Sequence, residues 1–227
     1  MSKLAMRGRY LTIPEREITM SQTLTISSDG RLHDGQRCFD PWQWRWQEDA
    51  TTSETCRTVT PREALAAICN RGGARRLPIG VIGPREATAA QRETASELGR
   101  QLAEGGLTVM CGGRGGVMAS VAKGARAAGG LTIGILPEGD WRSANDDIVV
   151  PIATGLNEAR NAVIARAAVA LIAVGSSPGT MTEMAFGLHF GRPVIVLNTP
   201  APIDGLHEAP DVATALDLLA RHLLKMS

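Results

Sequence analysis

Three short stretches of this 227-residue chain hold the residue types that an anion requires. The longest is Val174-Gly175-Ser176-Ser177-Pro178-Gly179-Thr180-Met181-Thr182-Glu183. The apolar run 168–173 before it suits a strand buried on both faces, and Met184, Ala185, Leu188 and Phe190 after it recur at helical spacing. A strand-to-helix turn of small residues aims free backbone N–H groups and the positive helix end at one point, which suits phosphate best. The second stretch is Gly112-Gly113-Arg114-Gly115-Gly116, and the third is Gly83-Pro84-Arg85-Glu86. One such loop alone is as readily a tight turn that binds nothing. Two glycine loops at strand-to-helix junctions of one sheet point to a phosphate or nucleotide cleft. The candidate ligand contacts are therefore Gly83, Arg85, Gly112, Gly113, Arg114, Gly115, Gly116, Ser176, Ser177, Gly179 and Thr180.

A regular alternation beginning at residue 77 must position these loops. Strands are predicted at 78–83, 107–111, 131–136, 168–174 and 193–197, and helices at 88–104, 117–128, 157–167, 179–190 and 210–224. A polar loop spans 137–154, within which 148–152 reads as a short extended piece. Such alternation predicts an α/β fold with a parallel, doubly wound, Rossmann-like sheet. Ligands bind such sheets at the carboxyl ends of the strands, near the switch in strand order. Gly-Pro-Arg after the first strand is not G-x-G-x-x-G, and no G-x-x-x-x-G-K-[ST] occurs. Neither an NAD- or FAD-type cofactor nor P-loop ATP hydrolysis is indicated.

Residues 1–72 differ in texture and are predicted to form a β-rich appendage to a phosphate-binding domain at 73–227. Tyr10 to Ile13 and Ile18 to Ile26 contain short alternating stretches, and Asp29-Gly30 and Asp34-Gly35 are hairpin turn signals, so an antiparallel meander is expected. Trp42, Trp44 and Trp46 fall at alternate positions, which on a strand puts three indoles on one face. They either dock the meander on the main domain or form a stacking wall for a planar ligand. Residues 49–58 read as a polar loop. Thr60-Pro61-Arg62-Glu63 reads as a capping box opening a helix to about residue 70.

The net charge of +1 provides no global field for nucleic acid or an anionic membrane. Cys38, Cys56, Cys69 and Cys111 are scattered, without C-x-x-C or a histidine at ligand spacing, so they read as reduced thiols and not as a metal site. No apolar run reaches membrane-spanning length. These features predict a cytoplasmic protein. The helices at 88–104 and 157–167 read as carrying more apolar surface than one sheet face can cover, which predicts a homodimer or larger.

Four ordered motifs resemble a known family: Gly112 to Met118; Gly124-Ala125 with Ala128-Gly129-Gly130; Gly155-Leu156-Asn157-Glu158-Ala159-Arg160-Asn161; and Gly179-Thr180-Met181-Thr182-Glu183. The series is similar to the Lonely Guy-like, or "possible lysine decarboxylase", superfamily, most closely its branch that includes molybdenum-cofactor carrier proteins. The resemblance covers roughly residues 78 to 225 and implies a Rossmann-type sheet and a homodimer. The superfamily's enzymes cleave nucleoside 5′-monophosphates to a free base and ribose 5-phosphate. By that resemblance Arg160 stands at the family's catalytic arginine and Glu183 at the glutamate of P-G-G-x-G-T-x-x-E, whereas Gly175-Ser176-Ser177-Pro178 replaces P-G-G-x.

The residues themselves leave alternatives open. Thr180-x-x-Glu183 is a capping box, or else the carboxylate faces a sugar whose oxocarbenium character it stabilises while activating water. Arg160 is an oxyanion clamp, or a surface arginine paired with Glu158 or Asp146, with Asn157 as helix N-cap. The altered signature favours a carrier of a phosphorylated heterocycle, a nucleotide or the molybdenum cofactor as cargo, with no required cofactor of its own. Retention of Arg160 and Glu183 favours the alternative, a nucleoside 5′-monophosphate phosphoribohydrolase.

Overall fold

A computed structural model describes residues 23–35, 37–48, 56–198 and 203–226. Tyr10 to Ile13 and the first part of the 18–26 stretch lie outside the described residues. The amino-terminal strands β1 (Leu24–Ser27), β2 (Leu32–Asp34), β3 (Arg37–Asp40), β4 (Arg45–Glu48) and β5 (Cys56–Val59) form an antiparallel sheet in the order β4-β3-β2-β1-β5. Gly30 and Gly35 adopt φ of 79° and 69° at the two hairpin turns, a region open to glycine and costly for most residues. β5 corrects the reading of 49–58 as loop throughout. Only Val59 of that strand is buried, so no alternation marks it, yet it returns to pair with β1 at an exposed edge.

The tryptophans do not share one strand face. Trp42 and Trp44 sit in the β3–β4 turn, where the Asp40 carboxylate accepts the backbone N–H of Trp42 and of Gln43 at 2.9 Å each. Trp44 takes φ of 52°, outside strand geometry, and is half-buried. Trp44 and Trp46 meet Phe39 edge-on at centroid distances of 5.6 and 5.1 Å. Their ring N–H groups donate to the Arg75 and Leu224 carbonyls at 3.0 and 2.8 Å. These two indoles therefore dock the small sheet on helix α1 (Pro61–Asn70) and on the carboxyl-terminal segment, around a core of Leu24, Phe39, Ala64, Ile68 and Leu224. Trp42 stays 53% exposed under the Arg75 guanidinium. Helix α1 opens with the capping box of Thr60 and Glu63.

The remaining elements alternate. They are β6 (Pro78–Ile82), α2 (Ala89–Glu104), β7 (Thr108–Cys111), α3 (Val117–Ala127), β8 (Thr132–Leu136), β9 (Val150–Ala153), α4 (Arg160–Ala167), β10 (Ala170–Val174), α5 (Pro178–His189), β11 (Val194–Leu197), β12 (His207–Ala209) and α6 (Val212–Leu223). The seven strands are all parallel, in the order β12-β11-β10-β6-β7-β8-β9. Residues of α2, α3 and α6 share one core with the sheet, and those of α4 and α5 share the other. The strand order reverses between β6 and β10, which opens a crevice at their carboxyl ends.

Four details differ from the sequence reading. The extended piece near 150 is a full edge strand, and β12 is an extra strand whose single buried residue, Ala209, leaves no apolar signal. The α-helix read from 157 begins at Arg160, after a 3-10 turn. The apolar stripe of α2 is not surplus, because Ala95, Leu98 and Leu102 are buried in the core shared with α3. Backbones of α2 and α3 touch there: a Cβ on Gly99 or Gly124 would lie 2.1 or 1.9 Å from a facing carbonyl oxygen. The exposed large apolar side chains on α-helices, among the described residues, are instead Val163 on α4 and Met181 and Phe186 on α5.

Trp46→Ala should cost about 3 kcal/mol, through lost packing and the stranded Leu224 carbonyl, while Trp42→Ala should stay within about 0.5 kcal/mol. Urea denaturation of the two variants measures this, and equal losses would contradict the docking role.

Candidate functional site

The carboxyl ends of β6, β7 and β10 bring the three anion-type loops around one cavity of about 290 Å³. Of the residues singled out from sequence, Gly83, Arg85, Gly112, Arg114 and Ser177 line it, as do Gly179, Thr180, Arg160 and Glu183. Gly113, Gly115, Gly116 and Ser176 do not. Gly113 and Gly116 take φ of 68° and 64° and shape the loop from behind. A Cβ on Gly113 would strike the Leu136 side chain at 2.5 Å, and one on Gly116 the Arg85 carbonyl oxygen at 2.2 Å. Gly115 is half-buried beside the Arg85 stem, and Ser176 is exposed.

Two helix amino-termini border the cavity. At α5, Ser177 is the N-cap, in extended conformation, and its Oγ accepts the Thr180 N–H at 3.2 Å and pairs with Thr180 Oγ1 at 2.8 Å. Thr180 N–H is thus committed, and Pro178 has none to offer. Gly179 N–H lies in the first turn, where no intrahelical acceptor exists, and Ser177 and the buried Thr180 line the cavity beside it. At α3 the N-cap glycine gives no side-chain cap, and Val117 N–H donates to the Pro84 carbonyl at 3.1 Å, binding the 112–116 loop to the 83–86 loop.

With Ser177 as the cap, Thr180-x-x-Glu183 is no capping box. Glu183 lies a turn deeper and points inward. Its Oε1 accepts a hydrogen bond from Arg160 Nη1 at 3.1 Å, and the two side chains are 7% and 12% exposed. Glu183, and not Glu158 or Asp146, is the partner of Arg160. Asn157 is not the cap of α4 either: it takes φ of 49° in the 3-10 turn and lines the cavity, while Ala159 occupies the cap position without a side-chain bond. The Arg160 guanidinium lies flat on Gly112, where a Cβ would approach its atoms to 2.4–2.6 Å. Glycine at 112 is what admits the arginine. Arg160 Nε is buried without a hydrogen-bond partner among the described residues.

Burial pushes the Glu183 carboxyl up from 4.5 to about 7, against the opposing pull of Arg160. Cys111, behind Gly112, is fully buried, and desolvation raises its thiol to about 11, so it is no nucleophile at neutral pH. Arg114 pairs with Glu138, and Arg85 is exposed at the rim without an ion pair among the described residues. Glu138 and Asn161 are among the lining residues that the sequence reading did not single out. Glu138 follows β8 directly, a carboxyl-end position that the crevice rule marks. Asn161, next to Arg160, donates to the Gly179 carbonyl at 3.4 Å and to Thr182 Oγ1 at 3.1 Å, fastening α4 to the first turn of α5. Asn161 closes the Gly155-to-Asn161 motif, which marked the segment but not this contact.

Comparison with known proteins gives consistent matches over the sheet domain. The chain matches the SLOG cluster4 family over residues 76–223. An uncharacterised protein of Archaeoglobus fulgidus is 40% identical over 139 residues, 60% of this chain and 91% of that protein. The molybdenum cofactor binding protein of Rippkaea orientalis superposes with a TM-score of 0.62 at 32% identity, over 66% of this chain and 98% of that one. The molybdenum cofactor carrier protein of Chlamydomonas reinhardtii gives 0.61 at 40% identity, over 66% and 99%.

The raised Glu183 value has a stability consequence whose sign is fixed. The folded protein keeps this proton up to about pH 7, whereas the unfolded chain releases it near 4.5. The stabilisation is present below the unfolded value and lost as pH rises through the folded one. Stability relative to Glu183→Gln should therefore fall between pH 5 and 8, by about 3 kcal/mol at most. Denaturation curves at the two pH values check this; a difference that does not change with pH would contradict it.

Proposed function

The chain belongs to the SLOG cluster4 family, and from that premise we propose that it binds a phosphorylated heterocycle in the cavity and hands it on, as a carrier. The observation that supports this most is the closed state of the α5 amino-terminus. Ser177 Oγ already holds the Thr180 N–H, in a turn where the family's enzymes have glycines. A phosphate is then held by Arg160, Arg85, Gly179 N–H and the hydroxyls, more by side chains than by backbone. Rate acceleration needs the sugar held closely, and a misplacement of about 1 Å can cost roughly a hundredfold. Binding is less demanding. Two relatives bind or carry the molybdenum cofactor by name, which supports that cofactor, a phosphorylated pterin, as cargo.

A phosphoribohydrolase is the second reading, favoured by one observation: Arg160 and Glu183 both line the cavity. Titration with AMP, GMP and CMP, alongside an assay for released base, separates the two. The carrier reading predicts binding without release, weakened about tenfold to a hundredfold by Arg160→Ala, since a charged hydrogen bond contributes about 1.5–3 kcal/mol. Gly112→Ala should act in the same direction by displacing the guanidinium. Robust release of base, abolished in both Arg160→Ala and Glu183→Ala, would overturn the carrier reading.

The same proposal includes self-association. Val163, Met181 and Phe186 expose apolar surface on the two helices that cover their sheet face alone. Light scattering at micromolar concentration should give a dimer or larger, and a monomeric mass would refute it.

A further inference from the structure

We infer that the cavity takes up a strong-acid anion together with one proton, and that Glu183 is the residue that imposes this requirement. The inference rests on the anion-binding reading above and deepens it. Glu183 and Arg160 form a buried pair at the cavity wall, joined at 3.1 Å. A group of the phosphate or sulfate type entering there competes for the same guanidinium. Arg160 is the one cation bonded to Glu183 among the described residues, and Arg85, the other arginine an entering anion meets, stands at the exposed rim. Two anions sharing one guanidinium away from water cannot both keep full charge cheaply. Sulfate, the anion of a strong acid, does not accept the proton, so the carboxyl must; a phosphate monoester, with a second pKa of about 6, competes with the carboxyl for it.

The surroundings of Glu183 provide no other place for that charge. From β7 it faces Cys111, which is neutral; from α4 it faces Arg160 and the uncharged Asn161. Across the cavity Glu138 is already committed to Arg114, and Glu158 and Arg85 stand exposed at the mouth. Burial has also brought the carboxyl to about 7 before any ligand arrives, so a neighbouring anion needs to shift it only a little further to neutralise it at physiological pH. The proton moves from solvent to a Glu183 oxygen, and no bond of the ligand changes. Glu183 then selects for net charge: a dianion is accepted as a unit with its proton, and affinity falls as pH rises above neutral.

Sulfate is the appropriate probe, because it stays dianionic between about pH 6 and 9, where Glu183 titrates. Isothermal titration calorimetry of the full chain with sulfate, in two buffers of different ionisation enthalpy, counts the protons taken up. Close to one proton per sulfate is expected near pH 8, with affinity falling by up to about tenfold per pH unit above neutrality. Glu183→Gln should take up none, bind sulfate more tightly than wild type at pH 8, and show no pH dependence. A glutamate needed only for structure would instead give a variant that binds more weakly. Sulfate binding by the wild type without proton uptake would overturn the inference and leave the anion site standing. No binding of sulfate at any pH would overturn both. The wild-type titration requires no variant to fold.

Discussion

A guanidinium lying on a glycine and bonded to a buried carboxylate is the contact around which the sheet domain is arranged. Arg160 comes from α4, Glu183 from α5 and Gly112 from the loop after β7, so three segments must be in place before the pair can form. Burying two charges is costly, and the mutual attraction recovers that cost only with good geometry. Removing one partner of such a pair typically costs about 3–5 kcal/mol, because the other is left charged and dry. The neighbouring features follow from this. Gly112 can carry no side chain, Asn161 ties α4 to α5 beside the pair, and Ser177 caps α5 and so fixes the turn of the helix from which Glu183 projects. A buried pair of this kind is weak evidence for stability as such; its placement on a cavity wall is what makes it a candidate for function.

The amino-terminal sheet belongs to a different layer of the design. It adds no residue to the cavity lining and attaches through Phe39, Trp44, Trp46 and Leu224, on α1 and α6. The relatives share the sheet domain and leave this part uncovered, since each alignment spans about two thirds of the chain. Two of the three clustered tryptophans are spent on docking. That makes the appendage a fixed part of the molecule and removes most of the aromatic surface that a planar ligand could have used.

What the sequence revealed, and what it hid, divides along physical lines. Continuous apolar runs such as 78–82 and 170–174 announced strands buried on both faces, and glycine-bearing turns after them announced the crevice. Elements held by edge pairing alone gave no such sign: β5 and β12 each bury a single residue, so their pairing rests on backbone hydrogen bonds that composition does not encode. Caps were legible where the box was local, as at Thr60 and Glu63, and misleading at Thr180 and Glu183, where a serine three residues earlier took the role. The same spacing supported cap and ligand-facing carboxylate alike. Only the direction of the side chain, set by where the helix starts, could decide. Trp44 shows the converse, since a positive φ broke an alternation that looked like a strand.

The central claim is that the three loops and the Arg160–Glu183 pair form one binding site for a phosphorylated ligand. A crystal structure of the protein soaked with AMP tests it most directly. The account predicts electron density for the nucleotide in this cavity, with phosphate oxygens within hydrogen-bond distance of Arg160 or Arg85 and of Gly179 N–H, and the N-glycosidic bond intact. A well-ordered structure at saturating AMP with the cavity empty, or with the nucleotide bound elsewhere on the molecule, would contradict it.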